Sequence, residues 1–200
     1  MTSRSLAPLS AAVAVFASAA SAGILTTSSQ ATWSFLVGNA GLTTETESFS
    51  GIADGLYTSP FSGSTSSIAW TALASGGIYV QGGLFSTNQP ETLTFNFSPG
   101  VRGVAGNFFG TDIDFNSVSV LYTVTLSNGS GYTGISHGAA DFTGFWSTTA
   151  ATISTIQVAV TNIAGSATVY PTVDNLYFAV PTPGAAALIG LAGLVSRRRR

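Results

Sequence analysis

The chain has 200 residues, of which 45% are hydrophobic and only 7% are charged, and it contains no cysteine. The absence of cysteine excludes a disulfide scaffold, a thiolate metal site and a cysteine nucleophile. Between Gly23 and Ser196 the only basic residue is Arg102 against eight carboxylates, a net charge of −7 with His137 neutral, which excludes nucleic acid as a partner because phosphate must be neutralised.

The first 22 residues have the order of a secretory signal peptide. Arg4 supplies a positive charge, an apolar run extends from about Ala11, and Ala20, Ser21 and Ala22 form a small-residue cleavage site. The apolar run is shorter than the ~18–20 residues of a stable transmembrane helix. We therefore predict a helical signal peptide over residues 1–22, handled by the general secretion machinery and signal peptidase.

Residues 23–179 have the composition of an all-β ectodomain. β-branched and aromatic residues occur in short runs between Gly, Pro and Asn, and there is no lysine to build surface helices. Within residues 91–97, Leu93, Phe95 and Phe97 alternate with polar residues, which predicts one buried and one wet face. The pattern predicts an antiparallel two-sheet β-sandwich, jelly-roll-like. The predicted strands are 32–37, 67–73, 77–81, 91–97, 103–109, 117–126, 152–161 and 173–180.

The tail, residues 180–200, combines a proline pair, an apolar stretch and a terminal cluster of arginines. Twelve apolar residues at 184–195 give about 18 Å of helix, against a hydrocarbon core near 30 Å. The positive-inside rule keeps the arginine cluster in the cytoplasm as a stop. The sequence thus predicts a domain held outside by a weak, temporary transmembrane-like helix. The cluster comprises Arg197, Arg198, Arg199 and Arg200.

The tail closely resembles the PEP-CTERM sorting signal of bacterial exported proteins. The motif residues are Val180, Pro181, Thr182, Pro183 and Gly184, ahead of the small-residue helix and the arginines. The resemblance implies an exosortase-like transpeptidase that cleaves the tail, and association with extracellular polysaccharide and biofilm matrix. Thr182 departs from the usual motif, which has Glu. The alternative is an uncut membrane anchor, which also localises the domain outside the cell.

Three stretches of the central region are similar, more loosely, to the β-sandwich ectodomains often found ahead of this signal. They are residues 47–51, 104–112 and 173–178. This similarity implies a fold more than an activity.

Two sets of carboxylates are candidates for structural Ca²⁺. In jelly-roll carbohydrate-binding modules, calcium is often held by an acid near the first strand and an Asp on the last, and Glu47 and Asp174 match that order. The alternative for Asp174 is a bend before the last strand. Residues 112–116 resemble half of a calcium loop, but Ser117 and Thr123 stand where Gly and a bidentate Glu are required. A turn is therefore favoured there, and no other cofactor is predicted.

Catalytic residue types are scarce. Ser136 and His137 are adjacent, so on an extended segment they point to opposite faces and make a poor nucleophile and base. No spacing of carboxylates selects a glycosidase pair. The sequence therefore predicts that the protein is not an enzyme.

Aromatic residues are the candidates for sugar stacking, although core burial is favoured for each tryptophan. Phe145 and Trp146 cannot both face inward on one strand, so Trp146 is the exception we select.

These features together predict an exported structural or adhesive protein of the cell surface or extracellular matrix. Without lysine its sheet edges lack a usual guard, which favours self-association. The alternatives are a carbohydrate-binding module and, after it, a polysaccharide hydrolase.

Overall fold

Two antiparallel sheets pack face to face as a sandwich in the computed structural model, which describes residues 23–163, 165 and 167–182. This architecture confirms the predicted two-sheet class. In chain order the elements are β1 (Ile24–Thr27), α1 (Gln30–Asn39), β2 (Leu42–Glu47), β3 (Gly55–Tyr57), β4 (Phe61–Ser64), β5 (Ala69–Leu73), β6 (Ile78–Gln81), β7 (Leu84–Thr87), β8 (Leu93–Phe97), β9 (Gly103–Thr111), β10 (Ser117–Val118), β11 (Val120–Leu126), β12 (Gly131–Ser136), β13 (Thr143–Ser147), β14 (Thr155–Asn162) and β15 (Tyr170–Pro181).

The first sheet runs in the order β1-β13-β9-β15-β7-β6-β3, with β10 beside β9 and β2 beside β15. The long strand β15 pairs with β9 along one side and with β7 and then β2 along the other. A register shift between Val173 and Leu176 marks a bulge in this strand. The second sheet runs β12-β11-β14-β8-β5-β4.

Period-two alternation places the core between the sheets. Leu93, Phe95 and Phe97 on β8 are buried, as predicted, while Asn96 is exposed. The strands predicted at 67–73, 77–81, 91–97, 103–109, 117–126, 152–161 and 173–180 all overlap observed strands.

An aromatic cluster fills the centre of the sandwich. Phe49, Trp70, Phe85 and Phe95 are fully buried, with ring centroids 4.7–6.2 Å apart. Each such side chain contributes roughly 1.5–3 kcal/mol by burial. Aromatic rings therefore supply much of the core volume in a chain that has one methionine.

The predicted strand at 32–37 is wrong, because these residues lie in helix α1. Ser29 caps the helix by accepting a hydrogen bond from the Thr32 N–H at 3.3 Å. Trp33 and Val37 lie four residues apart on one helical face, and both are buried against the outer face of the first sheet. Trp33 Nε1 also donates to the Phe145 carbonyl at 3.0 Å. This packing outweighs the β propensity of the sequence.

Candidate functional site

A cleft of about 200 Å³ opens on the outer face of the first sheet. Ile78 and Val80 face the core, so Tyr79 between them faces outward into this cleft. Phe115 from the β9–β10 loop lies beside Tyr79, with ring centroids 5.4 Å apart. Tyr170, at the start of β15, completes the set of partly exposed rings. The cleft thus combines three aromatic side chains on a solvent-exposed face of the sheet.

Buried hydroxyl groups form a chain beneath the cleft. Ser86, Thr111 and Thr172 are fully buried. Thr172 Oγ1 donates to Ser86 Oγ at 3.0 Å, and Ser86 Oγ donates to the Pro171 carbonyl at 3.1 Å. Because that leaves Thr172 without a proton for Thr111, Thr111 Oγ1 is the donor in their 2.9 Å hydrogen bond. Ser86 and Thr111, which line the cleft, therefore keep spare lone pairs and no spare proton.

The loop at the rim of the cleft is built around Asp112. Its Oδ1 accepts from the N–H groups of Asp114 and Asn116, both at 2.9 Å, and its Oδ2 accepts from Asn116 Nδ2 at 3.1 Å. The Asn116 side chain is the main influence on the Asp112 carboxyl, and these bonds hold its pKa below the usual range. The loop is the turn favoured from the sequence. Phe115 within it has a φ of 63°, which is unusual for a bulky residue.

Glu47 and Asp174, the candidate calcium ligands, lie in neighbouring parts of the first sheet. Glu47 pairs with Leu176 across the β2–β15 ladder, while Asp174 lies in the bulge of β15. The Glu47 carboxylate accepts from Phe49 N–H at 2.9 Å and from Trp70 Nε1 at 3.1 Å, which ties β2 to the second sheet. Burial raises the pKa of Asp174. Calcium binding by this pair stays a prediction.

Glu45 makes a second tie between the sheets. Its carboxylate accepts from the Ser67 N–H at 3.0 Å and from the hydroxyls of Ser67 and Thr65, both at 2.5 Å. Partial burial alone would raise the pKa of Glu45, but the hydrogen bonds from Ser67 and Thr65 outweigh it and lower the pKa to about 2. The carboxylates of β2 therefore link the two sheets through hydrogen bonds in this structure. Among the residues described, no group of three or more His, Asp or Glu is placed to hold a metal ion.

Trp146, the candidate for sugar stacking, lies on the outer face of the first sheet at the end covered by α1. It is partly buried and packs against the cluster of Trp33, Val37 and Phe142. Its Nε1 is buried and has no hydrogen-bond partner in the part of the chain that the structure describes. The neighbouring Phe145 faces the core, as the alternation requires. Trp146 is thus separate from the cleft lined by Tyr79 and Phe115.

Ser136 and His137 are not brought together as a nucleophile and base. Ser136 Oγ donates to Asp141 Oδ2 at 3.0 Å, whereas His137 Nδ1 lies 3.0 Å from Ser119 Oγ. Burial alone would raise the pKa of Asp141, but the His137 N–H and the Ser136 hydroxyl outweigh it and lower that pKa. Ser119 and Asp141 are the members of this group that the sequence analysis above did not name.

The predicted sorting motif lies only partly within the described residues. Val180 and Pro181 end β15 and pair with Thr43 and Leu42 of β2. Thr182 Oγ1 donates to the Gly41 carbonyl at 2.8 Å. Pro183, Gly184, the arginines at 197–200 and the signal peptide predicted at 1–22 lie outside the described residues.

No protein-family model, curated protein or solved structure matches the chain. Within the described part of the chain, no helix has the length and hydropathy of a transmembrane span.

Sequence reasoning missed the three rings of the cleft. The available signal was local: Tyr79 alternates with two apolar residues, and Phe115 stands between polar residues in a turn. Both patterns place an aromatic side chain on a wet surface, where burial does not explain it.

Proposed function

We propose that this protein is an exported structural or adhesive component of the cell surface or extracellular matrix. A signal peptide at 1–22 directs export, and an exosortase-like system processes the PEP-CTERM-like tail after transient anchoring by its helix. The jelly-roll-like topology and the helical ends belong to this proposal. Its support is the order of segments in the sequence and the chemistry of the second sheet.

The observation that carries the adhesive role is the absence of charge from the second sheet. Its six strands contain no Asp, Glu, Lys or Arg, whereas β2 and β15 of the first sheet hold three carboxylates. Hydroxyl and amide groups link neighbouring strands on the outer face instead. The pairs are Ser62–Thr71 at 3.1 Å, Asn96–Thr155 at 2.9 Å and Thr123–Thr133 at 3.0 Å. Such a face has no charge to repel a copy of itself or a neutral polymer.

The edge strand β12 makes this face accessible. It has six residues, no charge and no proline, and Tyr132 and Ile135 on it are exposed. The edge strand β2, by contrast, carries Glu45 and Glu47 pointing inward, a known guard against edge-to-edge pairing. We therefore assign self-association to the β12 side of the sandwich.

Sorting is tested by the intact mass of the protein recovered from its native cells. The expected result is loss of residues 1–22 and of the segment after about Pro183, with or without an added group. Recovery of the chain with its arginine cluster intact would refute processing of the tail.

Adhesion is tested by placing a lysine on each edge. Thr133→Lys adds to β12 the charge that edges normally carry, and Thr44→Lys on β2 is the matched control, because both positions are exposed. Light scattering at high concentration should show association of the parent chain and of Thr44→Lys, and weaker association of Thr133→Lys. Strictly monomeric behaviour of the parent chain would contradict the proposal.

Carbohydrate binding is the second candidate function, and the aromatic cleft is the observation that favours it. The two functions are compatible, since a matrix protein gains retention from contact with polysaccharide.

A further inference from the structure

We propose that the cleft between Tyr79 and Phe115 binds a single sugar unit of a neutral extracellular glycan. This inference deepens the proposed function by naming the class of polymer, and it rests on that function for its extracellular setting. The site is distinct from Trp146, which packs beside α1. Four properties of the cleft carry the inference: its rings, the loop that holds one of them, its hydrogen-bonding groups and its volume.

The rings provide an apolar surface that remains open to solvent. Tyr79 and Phe115 are both partly exposed, and their planes are tilted by 41°. Tyr170 lines the same cleft. A sugar ring presents C–H groups on its faces and hydroxyls at its edge, so it packs on an aromatic face while its polar groups remain hydrogen-bonded. Tyrosine suits such a site because its ring is apolar and its hydroxyl stays wet.

The backbone at Phe115 is held in a costly conformation. A bulky residue with a φ of 63° costs on the order of 1–3 kcal/mol. The Asp112 carboxylate holds the loop through the N–H groups of Asp114 and Asn116. Glycine would adopt this geometry without strain. Because Phe115 is partly exposed, core packing does not explain a phenylalanine at this position. A role for its ring in the cleft explains it.

The hydrogen-bonding groups favour a neutral ligand rich in hydroxyls. Ser86 and Thr111 are fully buried and have committed their protons within the buried chain. The groups left to meet a ligand are therefore the amides of Gln81 and Asn88 and the tyrosine hydroxyls. Among the described residues, Asp112 is the only charged one that lines the cleft, and three N–H groups already satisfy its carboxylate. An anionic ligand would meet this carboxylate without a compensating cation, and a cationic ligand would have to compete with those three donors. Sugar hydroxyls can both donate to and accept from these amides and hydroxyls without adding charge.

The volume limits the ligand to one ring. The cleft holds about 200 Å³, below the roughly 300 Å³ at which most small-molecule pockets begin. The cleft is open to solvent on the sheet surface, and Gln81 and Asn88 also line it, so their amide oxygens can accept from the hydroxyls of a bound sugar. The geometry therefore points to a subsite on a polymer and not to an enclosed metabolite pocket.

The test is calorimetric titration of the full chain, in a detergent that contains no sugar, with neutral, amino and uronic oligosaccharides. Neutral oligosaccharides should bind, and Tyr79→Ala should weaken their binding by about tenfold through loss of the stacking surface. Phe35→Ala is the matched control, because it removes an exposed aromatic ring from helix α1, outside both the cleft and the second sheet, and should leave the affinity unchanged.

A second variant protects the test against misfolding. Phe115→Gly removes the ring while relieving the left-handed backbone, so it should fold at least as well and still bind more weakly. The inference is overturned if the folded chain binds no neutral oligosaccharide, if Phe115→Gly binds as tightly as the parent, or if Phe35→Ala loses as much affinity. Correct processing of the tail in cells without glycan binding would leave the proposed function standing. An unprocessed tail with a binding cleft would refute the sorting proposal alone.

Discussion

The contact between Trp33 and Gly144 gives a quantitative test of how α1 is held on the first sheet. A Cβ added at Gly144 would lie 2.4 Å from Trp33 Cδ1 and 2.8 Å from Cγ, against about 3.5–4.0 Å for relaxed carbon contacts. The indole must therefore move by roughly 1 Å, which strains the Trp33–Phe145 hydrogen bond of 3.0 Å. Overpacking costs about 1–3 kcal/mol and the lost hydrogen bond about 1 kcal/mol. We expect Gly144→Ala to lower the free energy of unfolding by about 2–4 kcal/mol.

Urea unfolding followed by tryptophan fluorescence measures this loss. With a slope of about 2 kcal/mol per molar urea, the midpoint should fall by about 1–2 M. Gly38→Ala is the control: Gly38 lies in the helix that carries Trp33, with no described atom outside that helix's backbone within 4 Å of its added Cβ, and the change should stabilise the fold by about 0.5–1 kcal/mol. The cost of Gly144→Ala should shrink in a Trp33→Ala background, because the two residues are coupled. An unchanged midpoint, or full additivity with Trp33→Ala, would refute the steric reasoning.

Three further predictions concern the acids of the sandwich and Trp146. Glu45→Gln should lower the melting temperature at pH 7. The difference from the parent should disappear as the pH falls from about 4.5 to about 2, because the hydrogen bonds that lower the pKa of Glu45 stabilise only its ionised carboxylate. A difference independent of pH would contradict a role for the ionised carboxylate in linking the sheets. If Glu47 and Asp174 hold calcium, the ion should raise the melting temperature, and Asp174→Asn should abolish the rise. Calorimetric unfolding with calcium and then with chelator measures this, and an unchanged melting temperature would refute the calcium site. Trp146→Ala should lower the urea midpoint without weakening glycan binding, since Trp146 packs against the α1 cluster; loss of affinity at an unchanged midpoint would instead restore the stacking hypothesis.

The strands predicted from the sequence are those in which local pattern and tertiary setting agree. On β8, hydrophobic and polar residues alternate because one face meets the core and the other meets water. On β13 the alternation fails, since α1 covers part of the outer face and four of the five residues are buried. Neither β13 nor the short edge strands β1 and β3 had a readable period. The error at 32–37 has the same origin, because Trp33 and Val37 fit both a strand run and a helical face.

The candidate site was less accessible to sequence reasoning because it depends on strand order. Tyr79, Phe115 and Tyr170 come from β6, the β9–β10 loop and β15, which only the order β9-β15-β7-β6 brings to one face. The composition predicted that aromatics without a core role would be candidates for sugar binding, and that logic applies to Tyr79. It selected Trp146 because alternation within one strand cannot reveal a covering helix.

The position of β15 determines how the sandwich bears force. Residues 176–179 pair at the same time with β9 and with β2, and Thr182 follows directly after this strand. Tension applied to the carboxyl end along the strand therefore acts on two ladders of hydrogen bonds in parallel. The hydrogen bonds of both ladders share the force, so they must break together. If the domain is held at this end, pulling β15 out of the sheet requires shearing both ladders at once. An edge strand, by contrast, can be peeled away one hydrogen bond at a time. Strand β15 is thus the element through which a force on the carboxyl end enters the fold.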